Sequence, residues 1–321
     1  MASLDRSTIW PYDETGEPQE FFYQRYAHPT GVEAERALGE LDGGIALLFA
    51  SGMGATTALA LALLGPGASV AVAAGAYFGT ARGLRTFERW GVDVVEFDQK
   101  GQPPDGADVV WLEVPSNPLL EVPEFQAAAA HPGVVVVDAT VATPLHVRPL
   151  EHGADYVLHS ATKYLSGHDD VLLGAVVCKR EEDAEALRAL RGTLGIVAAP
   201  DPCWLLLRSL KTLRVRQERQ TSTAREVARR LEQHAAVHVV RYPGFGGLLS
   251  FDVDGGDAAR RVEVATRLIR NATSLGGVDS NMESRHRWEG DRIPAGLLRL
   301  SVGLEDVEEL WADLAAALEL A

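Results

Sequence analysis

Four consecutive valines, 134 to 137, run into a single aspartate, Asp138. A strand without polar residues on either side has no face to show to water, so both faces must be covered. Short apolar runs of this kind recur at 45–50, 69–73, 92–97, 108–113, 155–159 and 172–177. Helical segments separate several of them, at 55–64, 77–91 and 123–130. The alternation predicts an α/β fold: a mainly parallel seven-stranded sheet with helices on both faces. In such sheets ligands bind beyond the carboxyl ends of the strands. Ser51, Tyr77, Glu113, Asp138 and Ser160 all fall at or just after those ends.

The flanks read differently. Residues 1–22 are polar, punctuated by proline and glycine, and carry Trp10, Tyr12, Phe21 and Phe22. This predicts an extended arm whose aromatics pack on another surface. A helix follows over 31–42. After 178 come a charged helix (180–191), a loop (192–202) and one long helix over 203–234. Strands are expected at 238–242, 248–253, 273–280 and 297–302, with helices over 258–271 and 305–320. The polar stretch 281–296 reads as irregular. The expected organisation is thus an arm (1–22), a ligand-binding domain (23–202) and a smaller C-terminal α+β domain (203–321).

The net charge of −15 lacks the basic footprint of a nucleic-acid binder and does not favour an anionic membrane surface. Residues 1–10 lack a signal-peptide pattern, and no apolar run approaches membrane-spanning length, which predicts a cytoplasmic protein. Cys178 and Cys203 sit in apolar surroundings, without the spacing of a zinc site or a disulfide framework.

The stretch Asp155-Tyr-Val-Leu-His-Ser-Ala-Thr-Lys163-Tyr-Leu-Ser-Gly-His168 ends a strand in a polar turn. A lysine there is either a surface loop residue or a desolvated amine able to condense with a carbonyl cofactor. Asp138 needs a cation at the mouth of its strand, from an arginine such as Arg148 or from a protonated ring nitrogen; an N-cap is the other reading. Ser51-Gly52-Met53-Gly54 opens a helix, so its free amides suit an anion, although a glycine turn of this shape can be purely structural. It matches neither the P-loop nor the dinucleotide fingerprint. Tyr77 reads as a packing tyrosine or as a lid on an aromatic ligand. Arg299, in an apolar strand, requires a carboxylate from the protein or from a ligand. Together these groups supply what pyridoxal phosphate needs: an amine, a ring-nitrogen partner, a phosphate cradle, a stacking ring and a carboxylate anchor.

From Tyr23 onward the sequence resembles the Cys/Met-metabolism family of pyridoxal-phosphate enzymes, the cystathionine γ-synthase and γ-lyase group of fold type I. The motifs are Ser160-Ala-Thr-Lys163-Tyr-Leu-Ser-Gly-His168, Glu113-Val-Pro-Ser-Asn117-Pro, Ser274-Leu-Gly-Gly-Val-Asp-Ser280 and Leu298-Arg299-Leu-Ser-Val-Gly-Leu-Glu-Asp306. The resemblance implies that Lys163 holds the cofactor and moves protons, and that Asp138 pairs with the ring nitrogen. It gives Ser160, Thr162 and the amides of Gly52 and Met53 to the phosphate, and Tyr77 to the ring and the substrate amine. Asn117 would lie near the cofactor's phenolic oxygen and the substrate. Ser274 and Arg299 would hold the α-carboxylate, and Arg82 would lie near a distal carboxylate. Tyr23 and Arg25 match a Tyr-x-Arg that reaches a neighbouring subunit's phosphate, implying a homodimer with shared sites and a homotetramer built from two.

Several positions depart from the pattern. His28 stands where asparagine is usual before Pro-Thr, Ala139 where asparagine follows the ring aspartate, and Asp169 where a small residue follows Gly-His. Thr273 replaces a glutamate, and segment 281–296 lacks the usual His-Pro. Gly79 stands where methionine γ-lyases carry cysteine, which argues against that activity. The expected function is elimination or γ-replacement on a sulfur-containing or O-activated amino acid, cystathionine γ-synthase or γ-lyase leading. Cystathionine β-lyase, O-acetylhomoserine sulfhydrylase and a non-catalytic cofactor-binding regulator are the alternatives.

Overall fold

The computed structural model describes residues 3–321. Met1 and Ala2, the start of the expected arm, lie outside the described residues. The chain runs through Pro29–Asp42 (α1), Ile45–Phe49 (β1), Gly52–Leu63 (α2), Ser69–Ala73 (β2), Phe78–Arg85 (α3), Asp93–Phe97 (β3), Val109–Glu113 (β4), Phe125–Ala129 (α4), Val134–Asp138 (β5), Thr143–His146 (α5), Tyr156–His159 (β6) and Gly174–Cys178 (β7). The sheet order is β1-β7-β6-β5-β4-β2-β3. All pairings are parallel except those of β7, which runs antiparallel to both β1 and β6. The carboxyl ends of β1, β2, β4, β5 and β6 therefore share one edge.

Residues alternate between the two faces of this sheet. Val110, Leu112, Val135, Val137 and Val157 pack on one side. Val109, Trp111, Val136 and Leu158 pack on the other. Glu181–Leu194 (α6) and α2 cover the second face, contributing Leu187, Ala55 and Leu59. The first is covered by α1 and Pro200–Leu210 (α7), through Leu38, Leu206 and Leu207. The valine run is apolar because both sides of it are core.

His28 explains how α1 begins without the usual asparagine. Its Nδ1 accepts from Gly31 N at 3.0 Å, and its Nε2 lies 3.1 Å from Ala198 O. The ring thus caps the helix as an amide oxygen would, and the accepting nitrogen requires the neutral tautomer. Burial also lowers its pKa, which favours that form.

The helix expected over 203–234 is two helices, α7 and Leu213–Leu231 (α8). The break is at Thr212, whose amide and hydroxyl both bond Ser209 O at 3.1 Å, closing a turn. The C-terminal part adds Val239–Arg241 (β8), Leu248–Asp252 (β9), Gly255–Ala265 (α9), Arg270–Asn271 (β10), Asn281–Ser284 (β11), His286–Glu289 (α10), Leu297–Ser301 (β12) and Val307–Leu318 (α11). The second sheet has the order β10-β11-β12-β9-β8. The helix expected over 258–271 stops at Ala265, because the Asp313 carboxylate accepts from the amides of Arg267, Leu268 and Ile269 at 2.9–3.1 Å. No strand forms over 273–280. Instead the irregular stretch expected over 281–296 opens with β11.

One face of this sheet is a core: Met282, Leu298, Leu300, Phe251 and residues of α8, α9 and α11 pack together. By strand alternation, Glu283, Arg299 and Ser250 occupy the other face. Glu283 and Arg299 are cross-strand partners, as are Arg299 and Ser250. That polar face turns toward the open edge of the first sheet: Ser250 Oγ donates to Pro118 O at 2.8 Å, and Arg299 to Asn117 Oδ1 at 3.0 Å. Gly276, at φ +84°, allows the close approach, since a Cβ there would lie 2.6 Å from Tyr164 N.

Candidate active site

A cavity of about 580 Å³ lies between the sheet edge and the polar face of the second sheet. Lys163, Asp138, Ser160, Thr162, Gly52 and Met53 line it from the first sheet and its turns. Tyr77 and Asn117 line it beside them, and Ser274 and Arg299 face them from the C-terminal part. Ten of the thirteen site residues singled out in the sequence thus share one cavity.

Lys163 follows β6 in a turn clamped from behind by Arg216 of α8. Its guanidinium donates to the carbonyls of Tyr164 (2.8 Å), Leu165 (3.3 Å) and Ser209 (3.1 Å). Burial pushes Arg216 down to about 10; the three carbonyls satisfy it without a carboxylate. Lys163 Nζ donates to Ser274 Oγ at 2.7 Å. Burial, then the nearby Arg299 charge, pulls the Lys163 ammonium below the ordinary lysine range. Ser274 is held at φ +84°, and its carbonyl accepts from Arg299 at 2.8 Å. Left-handed backbone at a serine is uncommon, and here tertiary contacts on both its hydroxyl and its carbonyl hold it.

Asp138 ends β5, opposite Glu113 at the end of β4. Its carboxylate accepts from Thr140 N at 2.9 Å. Arg148 is not its partner: that side chain pairs with Glu151. Burial raises the Asp138 pKa. Glu113 is raised well above a normal glutamate, by burial and then by Asp138. Its Oε2 accepts from Tyr77 N at 2.5 Å. Two buried carboxyls side by side, with no cation of the protein paired to Asp138 among the described residues, suit a cationic guest.

A candidate anion cradle lies at the start of α2. Ser51 caps the helix through Gly54 N (3.0 Å), leaving the Gly52 and Met53 amides outside the helical ladder. A Cβ on Gly52 would fall 2.9 Å from Ser160 Oγ, so only glycine brings the two together this closely. Thr162 lines the cavity, but its hydroxyl is engaged with the Leu173 backbone, at 2.9 and 3.1 Å. Ser160 N donates to Thr140 Oγ1 at 2.7 Å. An amine with depressed basicity, a cation-seeking carboxylate and an anion cradle fit pyridoxal phosphate.

Three of the expected residues lie outside this cavity. Arg82 is exposed on α3. Tyr23 and Arg25 lie just after the N-terminal arm, where Arg25 donates to Gly192 O at 2.7 Å and stacks on Tyr26. Of the arm's aromatics, Trp10 pairs with Phe21, and Phe22 stacks on Tyr26 of the segment that follows. Sequence reasoning missed Glu283. Its Oε1 accepts from Arg299 (2.7 Å), Arg285 (2.8 Å) and Thr273 (3.0 Å), and its Oε2 from Trp288 (3.2 Å). The available signal was the pairing of Arg299 with an opposing strand, hidden because 281–284 reads as loop. Burial, with Arg285 next, pushes Arg299 down to about 10.

The family model for Cys/Met metabolism PLP-dependent enzymes matches residues 2–319. The chain belongs to that family. It is therefore a pyridoxal-phosphate enzyme, a carbon–sulfur lyase or γ-replacement transferase, and its fold is that of the fold-type-I enzymes. An L-methionine gamma-lyase of Streptomyces avermitilis is 41% identical over 99% of this chain and 84% of its own length. A cystathionine gamma-lyase of Bacillus subtilis is 35% identical over 95% of this chain and 90% of its own. The crystal structure of metB from Corynebacterium glutamicum superposes with a TM-score of 0.96, at 33% identity, covering 99% of this chain and 92% of the other. Among the described residues no helix is long and apolar enough to cross a membrane.

Proposed function

We propose that this enzyme acts on cystathionine or a close relative at Cγ, as a γ-lyase or γ-synthase. The choice of Cγ is supported by the likeness to the cystathionine gamma-lyase of Bacillus subtilis, and the observation that carries the chemistry is the contact of Lys163 Nζ with Ser274 Oγ at 2.7 Å, beside Arg299. It sets a proton-carrying amine against the group that anchors an α-carboxylate. Pyridoxal phosphate, when bound, supplies an electron sink that acidifies the α- and β-carbon protons of an amino acid.

The chain's own residues do the rest. The Gly52 and Met53 amides, with Ser160, would hold the phosphate, and Thr162 would join them by turning its hydroxyl away from Leu173 O. Asp138 stays ionised against a protonated ring nitrogen, which relieves its burial. Tyr77 and Asn117 line the same cavity; Tyr77 would hold the cofactor's ring, and Asn117 would serve its phenolic side and the substrate. Arg299 and Ser274 fix the α-carboxylate, which directs the Cα–H toward Lys163 Nζ. As a neutral amine, Nζ takes that proton and returns it at a neighbouring carbon. Tyr23 and Arg25, remote from the cavity of their own chain, serve the phosphate of a second subunit in a homodimer, and two dimers form a tetramer in the cytoplasm.

The Streptomyces avermitilis relative supports a second reading, L-methionine γ-elimination. Product analysis separates the reactions. Holoprotein given L-cystathionine is expected to release 2-oxobutanoate, the product of Cγ–S cleavage. O-Acyl-homoserine with cysteine yields cystathionine if γ-replacement dominates. Pyruvate from cystathionine would instead mark β-cleavage, and no product from cystathionine or the O-acyl-homoserines would overturn the proposal.

A further inference from the structure

Segment 281–296 departs from the family pattern, and it brings a second arginine to the cavity. Arg285 follows β11, is 2% exposed and lines the same cavity as Lys163 and Arg299. Its NH1 donates to Glu283 and its NH2 to Glu289, each at 2.8 Å. Its Nε has no partner. A buried guanidinium N–H without an acceptor is costly unless a ligand supplies one. The guanidinium lies 5.8 Å from the centroid of Phe78, the neighbour of Tyr77, which puts it on the Tyr77 side of the cavity.

Glu283 ties the two arginines together. One oxygen, Oε1, accepts from both Arg299 and Arg285, so both guanidinium groups are fixed from a single anchor. Arg82, the residue otherwise expected near a distal carboxylate, is exposed and outside the cavity. We infer that Arg285 receives a second, distal carboxylate, so that the preferred substrate is an α-amino acid whose side chain ends in a carboxylate, with Glu283 as the positioning residue. The inference rests on the proposed function, in which Arg299 takes the α-carboxylate. Glu289, on the short helix α10, is the counter-ion that the incoming carboxylate displaces. A thioether joining two amino acids has such a distal group, and methionine lacks one.

The test uses two unreactive ligands of similar length, L-2-aminoadipate and L-norleucine, on holoenzyme. Affinity is read both as competitive inhibition and as the change in cofactor absorbance on binding. Wild type is expected to favour aminoadipate. Arg285→Gln is expected to lower the aminoadipate-to-norleucine affinity ratio about 10- to 100-fold, the range of a charge-assisted hydrogen bond, and Arg285→Lys to lower it less. A wild-type enzyme with no preference for aminoadipate overturns the inference without any variant. So does an unchanged ratio in Arg285→Gln while both ligands still perturb the absorbance. A protein that shows no cofactor absorbance at all overturns the cofactor reading, and this inference with it.

Discussion

At the residue scale, the site is built from groups whose burial works against their charge. Lys163 is pushed toward the neutral amine, while Asp138 and Glu113 are pushed toward the neutral acid. For Glu113 this has a stability consequence. Its native pKa is raised, so the folded apoprotein keeps a proton that the unfolded chain releases above about 4.3. The unfolded state then binds fewer protons, and stability falls as pH rises from there through the native pKa, by at most about 1.4 kcal/mol per unit. Glu113→Gln, which keeps an acceptor for Tyr77 N, is expected to shallow that slope and to stabilise the apoprotein near neutral pH. Urea unfolding across pH checks it; a slope as steep as wild type would refute the role given to Glu113. Lys163, Asp138 and Arg299 were legible in the sequence because each is a charge in an apolar strand or at its end. Glu283 and Arg216 were not, because the strand that carries Glu283 reads as loop and Arg216 is met by backbone carbonyls.

At the scale of elements, all seven strands of the first sheet were readable, and in the second β8, β9 and β12 were readable while β10 and β11 were not. An interior strand buried on both faces is written as an unbroken apolar run, as in β5. By contrast β11, Asn281–Ser284, keeps only Met282 for the core and turns Glu283 to the polar face against Arg299 and Arg285, so a polar face imitates a loop. The stretch 273–280, apolar enough to suggest a strand, is bent through Ser274 and Gly276 to reach Lys163. The capping of α1 shows how a departure from a family pattern can preserve its physics. His28→Ala removes the acceptor for Gly31 N and the bond to Ala198 O. It is expected to lower the unfolding free energy by about 1 to 2 kcal/mol, and His28→Asn by less, since an amide oxygen can still cap. Denaturant unfolding of both variants checks this, and equal losses would show that the cap is not what the ring supplies.

At the scale of the whole molecule, the active site exists only where the two sheets meet. The first brings the amine, the carboxylate and the phosphate turn to one edge. The second brings the arginines on the polar face of β12 and in the segment after β11. Arg216, Ser250, Arg299 and Gly276 hold the two parts together around Lys163, while Tyr23 and Arg25 lie outside the cavity. All of it presumes that one particular amine carries the cofactor. The chain has three other lysines, Lys100, Lys179 and Lys211. Holoprotein reduced with borohydride, digested and mapped by mass spectrometry reports directly which of the four was linked to pyridoxal phosphate. The adduct is expected on Lys163 and to be absent from Lys163→Ala. An adduct on any other lysine, or none on a protein saturated with pyridoxal phosphate, would contradict the assignment of the site.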